Sequence, residues 1–263
     1  MPDEFLRREV PALKKDVFRL GLAVTHGIDG AGVREALAGE MNYVFWNPTA
    51  RKLVAPLREA LRRDRERFVV STGPTFGWFG GSLRRRVEAA LRALNTDYLD
   101  VLQLYWLGKM SALTSGTIEE MVRLREAGKV RALGASIHDR PRAGRLAEDS
   151  VLDLLMIRYN AAHPGAESEI FPHLARRRPA VVAYTATCWG KLLRPPRGYS
   201  AGPATAGQCY RFCLSSPHVD LVLCSPGTAG ELREDLAEVA KGPLAGEEMS
   251  FMRALGRAVH GSR

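Results

Sequence analysis

The stretch that decides the fold covers residues 101–136, which read VLQLYWLGKMSALTSGTIEEMVRLREAGKVRALGAS. It begins and ends on the short apolar runs Val101–Tyr105 and Ala132–Ser136. Runs of this kind are typical of parallel strands that are buried on both faces. Between them, Thr117–Ala127 has the period of an amphipathic helix, and Gly128 follows as a helix stop. The stretch therefore predicts one strand–helix–strand unit of a parallel sheet.

The same alternation repeats along the whole chain. Eight runs predict strands, at Phe18–Val24, Tyr43–Trp46, Phe68–Ser71, Val101–Tyr105, Ala132–Ser136, Leu154–Arg158, Ala180–Tyr184 and Val219–Cys224. Helical patterns follow them at Val33–Gly39, Lys52–Arg63, Ser82–Leu94, Thr117–Ala127, Pro141–Ala147, Ala166–Arg177, Ala206–Leu214 and Ala229–Ala240, with a C-terminal helix at Glu247–Val259. Eight such repeats in 263 residues predict an α/β fold, a (β/α)8 TIM barrel in one domain. A doubly wound sheet is disfavoured because no G-x-G-x-x-G motif follows an early strand.

Local signals place some boundaries within this barrel. Thr117 and Glu120 have the spacing of a capping box, and Asp139 precedes Pro141 as a helix cap does. The proline- and glycine-rich segment Leu192–Pro203 predicts a long loop after the seventh strand. Loops at that end of a barrel bind ligands, so the functional site is expected there.

Composition and charge exclude several function classes. No apolar run reaches the ~18 residues of a membrane span, and the charged N-terminus predicts no signal peptide. Four cysteines do not form a disulfide scaffold, which predicts a reducing, cytoplasmic setting. The net charge of +9 comes from dispersed arginines mixed with acidic residues. We therefore expect no nucleic-acid partner, and a phosphate-bearing cofactor is the better use of the charge.

Five stretches, in the right order along the chain, resemble the aldo-keto reductase family. Asn95–Val101 is similar to its "LGTDYLDLY" segment, and Glu126–Ser136 to its "GKIRxIGVS" segment. Tyr159-Asn160 resembles the "YN" after the sixth strand, and Ala183–Leu192 the "AYSPLxxGxL" after the seventh. Glu231–Leu236 is similar to the "EQLxENL" helix after the eighth. The fold that this resemblance implies is the same eight-fold barrel.

The chemistry that the resemblance implies is altered in this chain. Family members reduce carbonyl compounds with NADPH, using an Asp, a Tyr, a Lys and a His. In the matching segments those four positions hold Phe45, Ala50, Gly73 and Tyr105. The first three have no side chain that exchanges a proton, so the standard activity should be absent or weak. We expect these four positions to meet at one cavity mouth.

The resemblance also implies where NADP would bind. Tyr184 matches the aromatic residue that stacks on the nicotinamide, and Ser136 matches the serine that holds the carboxamide. The altered neighbours of that serine are Ile137 and Met156. The phosphate groups would lie on loops after the seventh and eighth strands, a common anion site in barrels. The residues there are Thr185, Thr187, Gly190, Lys191, Ser225, Gly227, Thr228 and Arg233. The alternative is that these small residues only form turns and helix caps.

Two residues are candidates for a rebuilt proton-donating centre. Tyr105 lies at the matching His position, and His138 follows the fifth strand. The alternative for Tyr105 is a pocket-lining aromatic residue. Aromatic residues at or after the strand ends predict an apolar cup for a small hydrophobic or planar ligand, formed by Phe45, Trp46, Trp78, Trp106 and Trp189.

A metal site is not predicted, although His and Cys residues gather at one rim of the expected barrel. His26, His138, His163, Cys188 and Cys224 each follow a strand, without an H-x-x-x-H or C-x-x-C spacing.

Three functions remain open from the sequence. The first is an NADP(H)-dependent oxidoreductase of aldo-keto reductase type with a non-standard active site. The second is a catalytically inactive protein of the same fold that binds a ligand or a partner. The third is a non-redox lyase or isomerase on the same barrel. The fold by itself does not choose among them, and the oligomeric state is left open.

Overall fold

The computed structural model describes residues 2–24, 27–74, 80–194 and 196–261. Eight parallel strands form a closed barrel, which confirms the predicted (β/α)8 fold. The barrel closes where the last strand pairs with the first, with Val222 opposite Leu20. Its strands are β3 (Leu20–Val24), β4 (Tyr43–Trp46), β5 (Val69–Thr72), β6 (Leu99–Leu104), β7 (Val130–Ile137), β8 (Leu154–Arg158), β9 (Ala180–Tyr184) and β10 (Leu221–Cys224).

Helices surround the barrel and cover the outward faces of its strands. They are α1 (Pro2–Leu6), α2 (Gly30–Ala38), α3 (Val54–Arg63), α4 (Gly80–Leu94), α5 (Ser115–Glu126), α6 (Arg140–Glu148), α7 (Ala166–Glu169), α8 (Ala206–Leu214), α9 (Ala229–Val239) and α10 (Gly246–Gly261). Short 3₁₀ turns at Arg51–Leu53 and Phe171–Ala175 extend two of the connections. Within the described part of the chain, no helix has the length and apolar character to cross a bilayer.

The N-terminus forms a β-hairpin that the sequence analysis missed. Its strands are β1 (Arg7–Val10) and β2 (Lys15–Phe18), which pair antiparallel. The predicted strand Phe18–Val24 therefore began too early, because Phe18 belongs to the hairpin. The missed strands carry charged residues, as in Lys15-Asp16, and so lack a continuous apolar run. Hairpin residues pack into the base of the barrel, which closes its N-terminal end; they are Val10, Leu13 and Val17.

A buried carboxylate links the hairpin to the barrel at this closed end. Asp100 has no exposed surface and accepts hydrogen bonds from Lys15 Nζ at 3.0 Å and Arg65 NH2 at 2.7 Å. It also accepts one from the Val70 backbone N–H at 2.9 Å. A buried charge is tolerated only when it is paired and hydrogen-bonded, and Asp100 meets both conditions. Access to the barrel is thus left to the opposite, C-terminal end.

The helix caps confirm one prediction and correct another. Asp139 caps α6, and its side chain accepts from the Arg142 N–H at 3.0 Å, as expected. Thr117 is not a cap, because α5 begins two residues earlier and Thr114 accepts from the Thr117 N–H. The described helices do contain a capping box, formed by Thr205 with Gln208 at the start of α8.

Candidate active site

A cavity of about 1120 Å³ opens at the C-terminal end of the barrel. It runs from the mouth of the barrel to the gap between α8 and α9. This volume is slightly above the ~300–1,000 Å³ range of small-molecule sites, so it accommodates an extended ligand. The predicted loop after the seventh strand contributes Leu193 to its wall, and Ala204, the residue after that loop, also lines it. We call its two parts the barrel mouth (Phe45, Tyr105, Trp106, Ser136, His138, Tyr184) and the acidic end (Glu231, Glu234, Asp235, Glu238, Lys241).

A hydrogen-bonded pair lies at the centre of the barrel mouth. Tyr184 ends β9 and His138 follows β7, and the Tyr184 hydroxyl is hydrogen-bonded to His138 Nε2. The Trp106 ring lies beside the imidazole, with ring centroids 4.9 Å apart. The imidazole is thus held between an aromatic ring and a phenol at the surface of the cavity.

The surroundings favour the neutral form of both partners. Burial lowers the pKa of His138, and the positive charge of Arg158 lowers it further. Burial also raises the pKa of Tyr184 above its usual value. A protonated phenol beside a neutral imidazole donates its proton to the Nε2 lone pair, which leaves the imidazole hydrogen on Nδ1. No described residue is hydrogen-bonded to Nδ1, so this N–H can donate to a ligand.

Arg158 is a functional candidate that the sequence analysis did not single out. It is the last residue of β8 and lies directly opposite Tyr184 in the sheet register. Its charge acts on both members of the pair, since it lowers the pKa of His138 and of Tyr184. None of the carboxylates in the described ranges forms a salt bridge with it. Its position at a strand end was the available signal, because side chains there face the ligand in barrels.

Tyr105 lines the cavity, but its hydroxyl faces away from the imidazole. It donates to the Trp46 carbonyl at 3.3 Å and also interacts with the Thr72 hydroxyl and the Gly73 backbone. Burial raises the pKa of Tyr105 to about 12, which disfavours proton release. Its ring lies 5.4 Å from that of Phe45. The geometry therefore agrees best with the pocket-lining alternative for Tyr105.

The four positions that were expected at one cavity mouth are only partly together. Phe45 and Tyr105 line the cavity, while Gly73 lies behind Tyr105 in a second, smaller cavity of about 340 Å³. Ala50 belongs to a turn, where its N–H donates to the Asn47 carbonyl, and it packs on the core. A Cβ atom at Gly73 would lie 1.9 Å from the Gln103 carbonyl oxygen, so this backbone leaves no room for a side chain there.

The predicted aromatic cup needs one correction. Phe45, Trp106 and Trp189 line the cavity, and the two tryptophans are 42% and 60% exposed. Trp46 is 1% exposed and lines the smaller cavity instead. Neighbouring residues of a strand face opposite sides, so Phe45 and Trp46 cannot both face the barrel mouth. Trp78 lies outside the described residues.

The backbone that presents the tryptophans is unusual. Trp106, after β6, has φ 39°, and Trp189, after β9, has φ 54°. Thr185 and Cys188, on the same loop as Trp189, also have positive φ. Such backbone angles are disfavoured for residues with a Cβ atom, and strained residues are enriched at functional sites, although Lys14, Asn95 and Arg178 adopt them elsewhere in this chain. The strain is consistent with a loop shaped to face the cavity.

Half of the predicted cofactor residues line the cavity. Ser136, Tyr184, Thr185, Thr187 and Ser225 do so. The Ser136 hydroxyl accepts from the Trp106 N–H at 2.7 Å and keeps its own proton for a further bond. Gly190, Lys191, Gly227, Thr228 and Arg233 lie outside the lining formed by the described residues.

Several residues that were predicted to bind phosphate instead form turns and helix caps, as the alternative interpretation expected. Thr187 accepts from the Gly190 N–H at 3.2 Å, and Thr228 caps α9 by accepting from the Glu231 N–H at 3.1 Å. Arg233 points to α2, where it is paired with Glu35 at 2.6 Å. The charge expected from Arg233 is thus directed away from the cavity.

The far end of the cavity is acidic. Glu231, Glu234, Asp235 and Glu238 line it from α9, together with Lys241 as the cation. Burial raises the pKa of Asp235 to about 7, and the charges of Glu231 and Glu234 add to the effect. The sequence analysis did not predict these carboxylates, because it assigned this end of the barrel to phosphate groups bound by Gly, Ser and Thr residues. The signal was present in the E-L-R-E-D-L-A-E spacing, which repeats carboxylates along one helix.

Comparison with known proteins identifies the family. Residues 47–204 match the sequence profile described as "Aldo/keto reductase family". The chain belongs to this family. Methylglyoxal reductase YeaE of Escherichia coli (strain K12) is 31% identical over 148 residues, which cover 52% of this chain and 49% of that protein. The matches to three such curated relatives span 40% to 49% of their lengths.

Solved aldo-keto reductases share the whole barrel with this chain. The holo form of aldo-keto reductase AKR11C1 from Bacillus halodurans has a TM-score of 0.80 at 20% identity, and the match covers 96% of each chain. The aldo/keto reductase from Klebsiella pneumoniae in complex with NADP and acetate has a TM-score of 0.76 at 22% identity, covering 93% of each chain. At this identity the likeness demonstrates a common fold.

The residues of this aldo/keto reductase family member fit part of a nicotinamide dinucleotide. The barrel mouth offers an aromatic ring, Tyr184, and a hydroxyl donor, Ser136, and both line the cavity. These groups suit a planar carboxamide ring. The acidic end suits hydrogen-bond donors better than phosphate groups, because carboxylates repel anions.

The histidine and cysteine residues at the rim do not form one cluster. Cys188 Sγ lies 3.7 Å from His163 Nδ1, but both side chains are buried, and neither lines the cavity in the described part. All four cysteines are buried, and none of them forms a disulfide bond. Among described residues, no group of three or more His, Cys, Asp or Glu side chains could hold a metal ion. His26 lies outside these residues.

Proposed function

We propose that this protein is an oxidoreductase that interconverts a small hydrophobic or planar carbonyl compound and its alcohol through a non-standard active site. Its hydride carrier is a nicotinamide dinucleotide, the class to which the predicted NADP belongs. The observation that carries the proposal is the His138–Tyr184 hydrogen bond at the mouth of the cavity. A reductase named for methylglyoxal and a relative solved with NADP support the reaction class.

The acid of this site is His138. Phe45, Ala50 and Gly73, at three of the positions that the resemblance assigns to proton chemistry, hold no ionisable side chain. Tyr105, at the fourth, donates its proton to the backbone of Trp46. His138 lines the cavity, and its normal pKa lies closer to neutrality than that of a phenol.

His138 would act as follows. When it is protonated, its Nε2–H donates to the Tyr184 oxygen, which fixes the ring, and its Nδ1–H faces the substrate oxygen. The bound dinucleotide would supply a hydride to the carbonyl carbon. As negative charge develops on the substrate oxygen, Nδ1 transfers its proton there and the imidazole becomes neutral. The positive charge of Arg158 stabilises the same developing charge. In the reverse direction, the neutral imidazole in its Nε2–H form, which donates to the Tyr184 oxygen, accepts the alcohol proton at the lone pair of Nδ1.

The walls of the barrel mouth define the substrate class. Phe45, Trp106 and Trp189 present apolar ring surface to the cavity. Aromatic walls favour a hydrophobic or planar substrate, which gains free energy by leaving water. A hydrophobic environment also strengthens the hydrogen bond between His138 and the substrate oxygen.

The test is a reduction assay on a panel of aldehydes, ketones and quinones with each reduced dinucleotide. We expect turnover of hydrophobic or aromatic members of the panel. The variant His138→Gln should lose about 10²- to 10⁴-fold in kcat, the usual contribution of a positioned acid. The matched control is His218→Gln, since His218 stacks on Phe171 away from the cavity lining.

The outcomes separate the three functions. Saturable dinucleotide binding without turnover on any substrate supports a catalytically inactive binding protein. Product formed from a candidate substrate without any dinucleotide supports a lyase or isomerase. If the His138→Gln and His218→Gln variants are equally active, the role of His138 is refuted, but the proposed reductase activity stands.

A further inference from the structure

Three carboxylates at the acidic end have no cationic partner among the described residues. They are Glu231, Glu234 and Asp235, and all three line the cavity. Glu238 differs, because it is paired with Arg211 at 2.9 Å and with Lys241 at 2.5 Å. The chain as a whole carries a net charge of +9. The local negative charge is therefore a property of this face of α9 and not of the whole surface.

Glu231 already occupies the backbone donor that an anion would use. Its carboxylate accepts from the Gly227 N–H at 2.6 Å, just before the first turn of α9. Free N–H groups and the helix dipole make a helix N-terminus attractive to phosphate groups. Here a side-chain carboxylate takes the place of that anion, and it would repel a second one.

Asp235 points to the type of group that this end accepts. It is only 6% exposed, it lines the cavity, and no described residue donates a hydrogen bond to it. A buried carboxyl group without a partner is costly, so a ligand that brings hydroxyl or amino donors would relieve that cost. An additional phosphate placed beside Asp235 would add to it.

The two nicotinamide dinucleotides differ by such a phosphate. Their nicotinamide and their adenosine lie at opposite ends of the molecule, and NADP(H) carries an additional phosphate on the adenosine ribose. If the nicotinamide lies at the barrel mouth, the adenosine half extends towards α9. We infer that the acidic end selects NAD(H) over NADP(H), with Glu231 and Glu234 as the residues that discriminate. This inference rests on the proposed function. It ranks the two dinucleotides by affinity, with NADP, which is present in a solved relative, as the weaker ligand.

The experiment measures the dissociation constants of NADH and NADPH by quenching of tryptophan fluorescence, since Trp106 and Trp189 line the cavity. At low ionic strength we expect NADH to bind at least about tenfold more tightly. Salt screens charges, so the ratio of the two constants should fall towards about threefold in 0.5 M salt. The variant Glu231→Gln/Glu234→Gln should reduce the low-salt ratio by about tenfold.

The matched control is Glu119→Gln/Glu126→Gln on α5, which changes the net charge equally but lies outside the cavity lining. It should leave the ratio unchanged. NADPH that binds as tightly as NADH at low salt overturns the inference alone, and so does an equal response of the two double variants. Absence of binding by both dinucleotides overturns the inference and the proposed function together.

Discussion

The two ends of the cavity are built by different means. The barrel mouth is formed by side chains at the ends of strands, such as Phe45 on β4 and Tyr184 on β9. The acidic end is formed by side chains on one face of a helix, of which Glu231 and Glu234 are exposed. Strand-end positions are fixed by the register of the closed barrel, whereas exposed helix positions tolerate changes of charge.

The two ends also differ in how their surroundings shift the pKa values of their side chains. At the barrel mouth, burial shifts the pKa values of His138 and Tyr184 in opposite directions. At the acidic end, like charges and burial raise the pKa of Asp235. In the proposed function the first arrangement transfers a proton, and in the further inference the second discriminates between dinucleotides. Four predictions test whether the two ends are distinct in this way.

The largest expected effect is the pH dependence of turnover at the barrel mouth. Reduction needs protonated His138, and burial holds the pKa of His138 below its ordinary value of 6.5. Above that pKa the protonated fraction falls tenfold per pH unit, so kcat for reduction should fall about 100-fold over two pH units. Alcohol oxidation should instead rise with pH and reach a plateau, because it needs neutral His138. Pre-steady-state rates in both directions check this, and a reduction rate that does not change with pH contradicts it.

The second prediction concerns the close contact between Gly73 and the Gln103 backbone, next to Tyr105. Gly73→Ala should lower the free energy of unfolding by about 2–3 kcal/mol, because its Cβ would meet the Gln103 carbonyl oxygen at 1.9 Å. Gly116→Ala in α5 is the control, since nothing lies within 4 Å of its Cβ. Alanine is favoured over glycine in helices, so this control should be neutral or slightly stabilising. Urea unfolding measures the stability of both variants, and equal midpoints would show that the backbone around Gly73 shifts to accommodate the Cβ atom.

The third prediction belongs to the acidic end. Burial and the charges of Glu231 and Glu234 raise the pKa of Asp235 from 3.8 to about 7 in the folded protein. The folded state then holds a proton that the unfolded state has lost, so Asp235 reduces stability as pH rises from about 4 to about 7. Asp235→Asn should be more stable than the parent at pH 8, by on the order of 1–2 kcal/mol, and similar to it near pH 4.

Thermal unfolding across this pH range measures the effect. Asp97→Asn is the control, because Asp97 is exposed and precedes β6 at the opposite end of the barrel. A stability difference between the Asp235→Asn variant and the parent that stays constant with pH would rule out titration of Asp235 as its cause.

The smallest expected effect is at the rim of the barrel mouth. Trp189 is 60% exposed and lines the cavity, so it should contact only part of a substrate. Trp189→Ala should raise KM for an aromatic aldehyde by about fivefold to tenfold with little change in kcat, the signature of lost binding surface. Trp189→Phe should restore most of the affinity. A change in kcat alone would place Trp189 in the chemical step instead.

The sequence was sufficient for most of the barrel. Tyr43–Trp46, Leu154–Arg158 and Ala180–Tyr184 agree with the observed strands at both ends, because buried parallel strands are continuously apolar. It was not sufficient for the hairpin of β1 and β2, where the alternation is short and interrupted by charges. The capping box predicted at Thr117 and Glu120 was wrong, since Thr114, one turn earlier, caps α5.

The candidate site was predictable only in part. His138 and Tyr184 were both singled out, but their hydrogen bond joins residues 46 positions apart, and no local pattern reports it. The direction of the Trp46 side chain depends on the pleat of β4, and the direction of Arg233 depends on Glu35 in α2. These are properties of the packed molecule.

The order of the eight barrel strands, the family and the end of the barrel at which the cavity opens all followed from the sequence. These depend on local periodicity and short motifs, which neighbouring residues establish together. Only the packed molecule shows that His138 meets Tyr184, that Gly73 has no room for a side chain, and that four carboxylates of α9 line the same cavity. The physical reason is that closing the barrel fixes the register of every strand, and register sets which distant side chains come within hydrogen-bonding or charge-repelling distance.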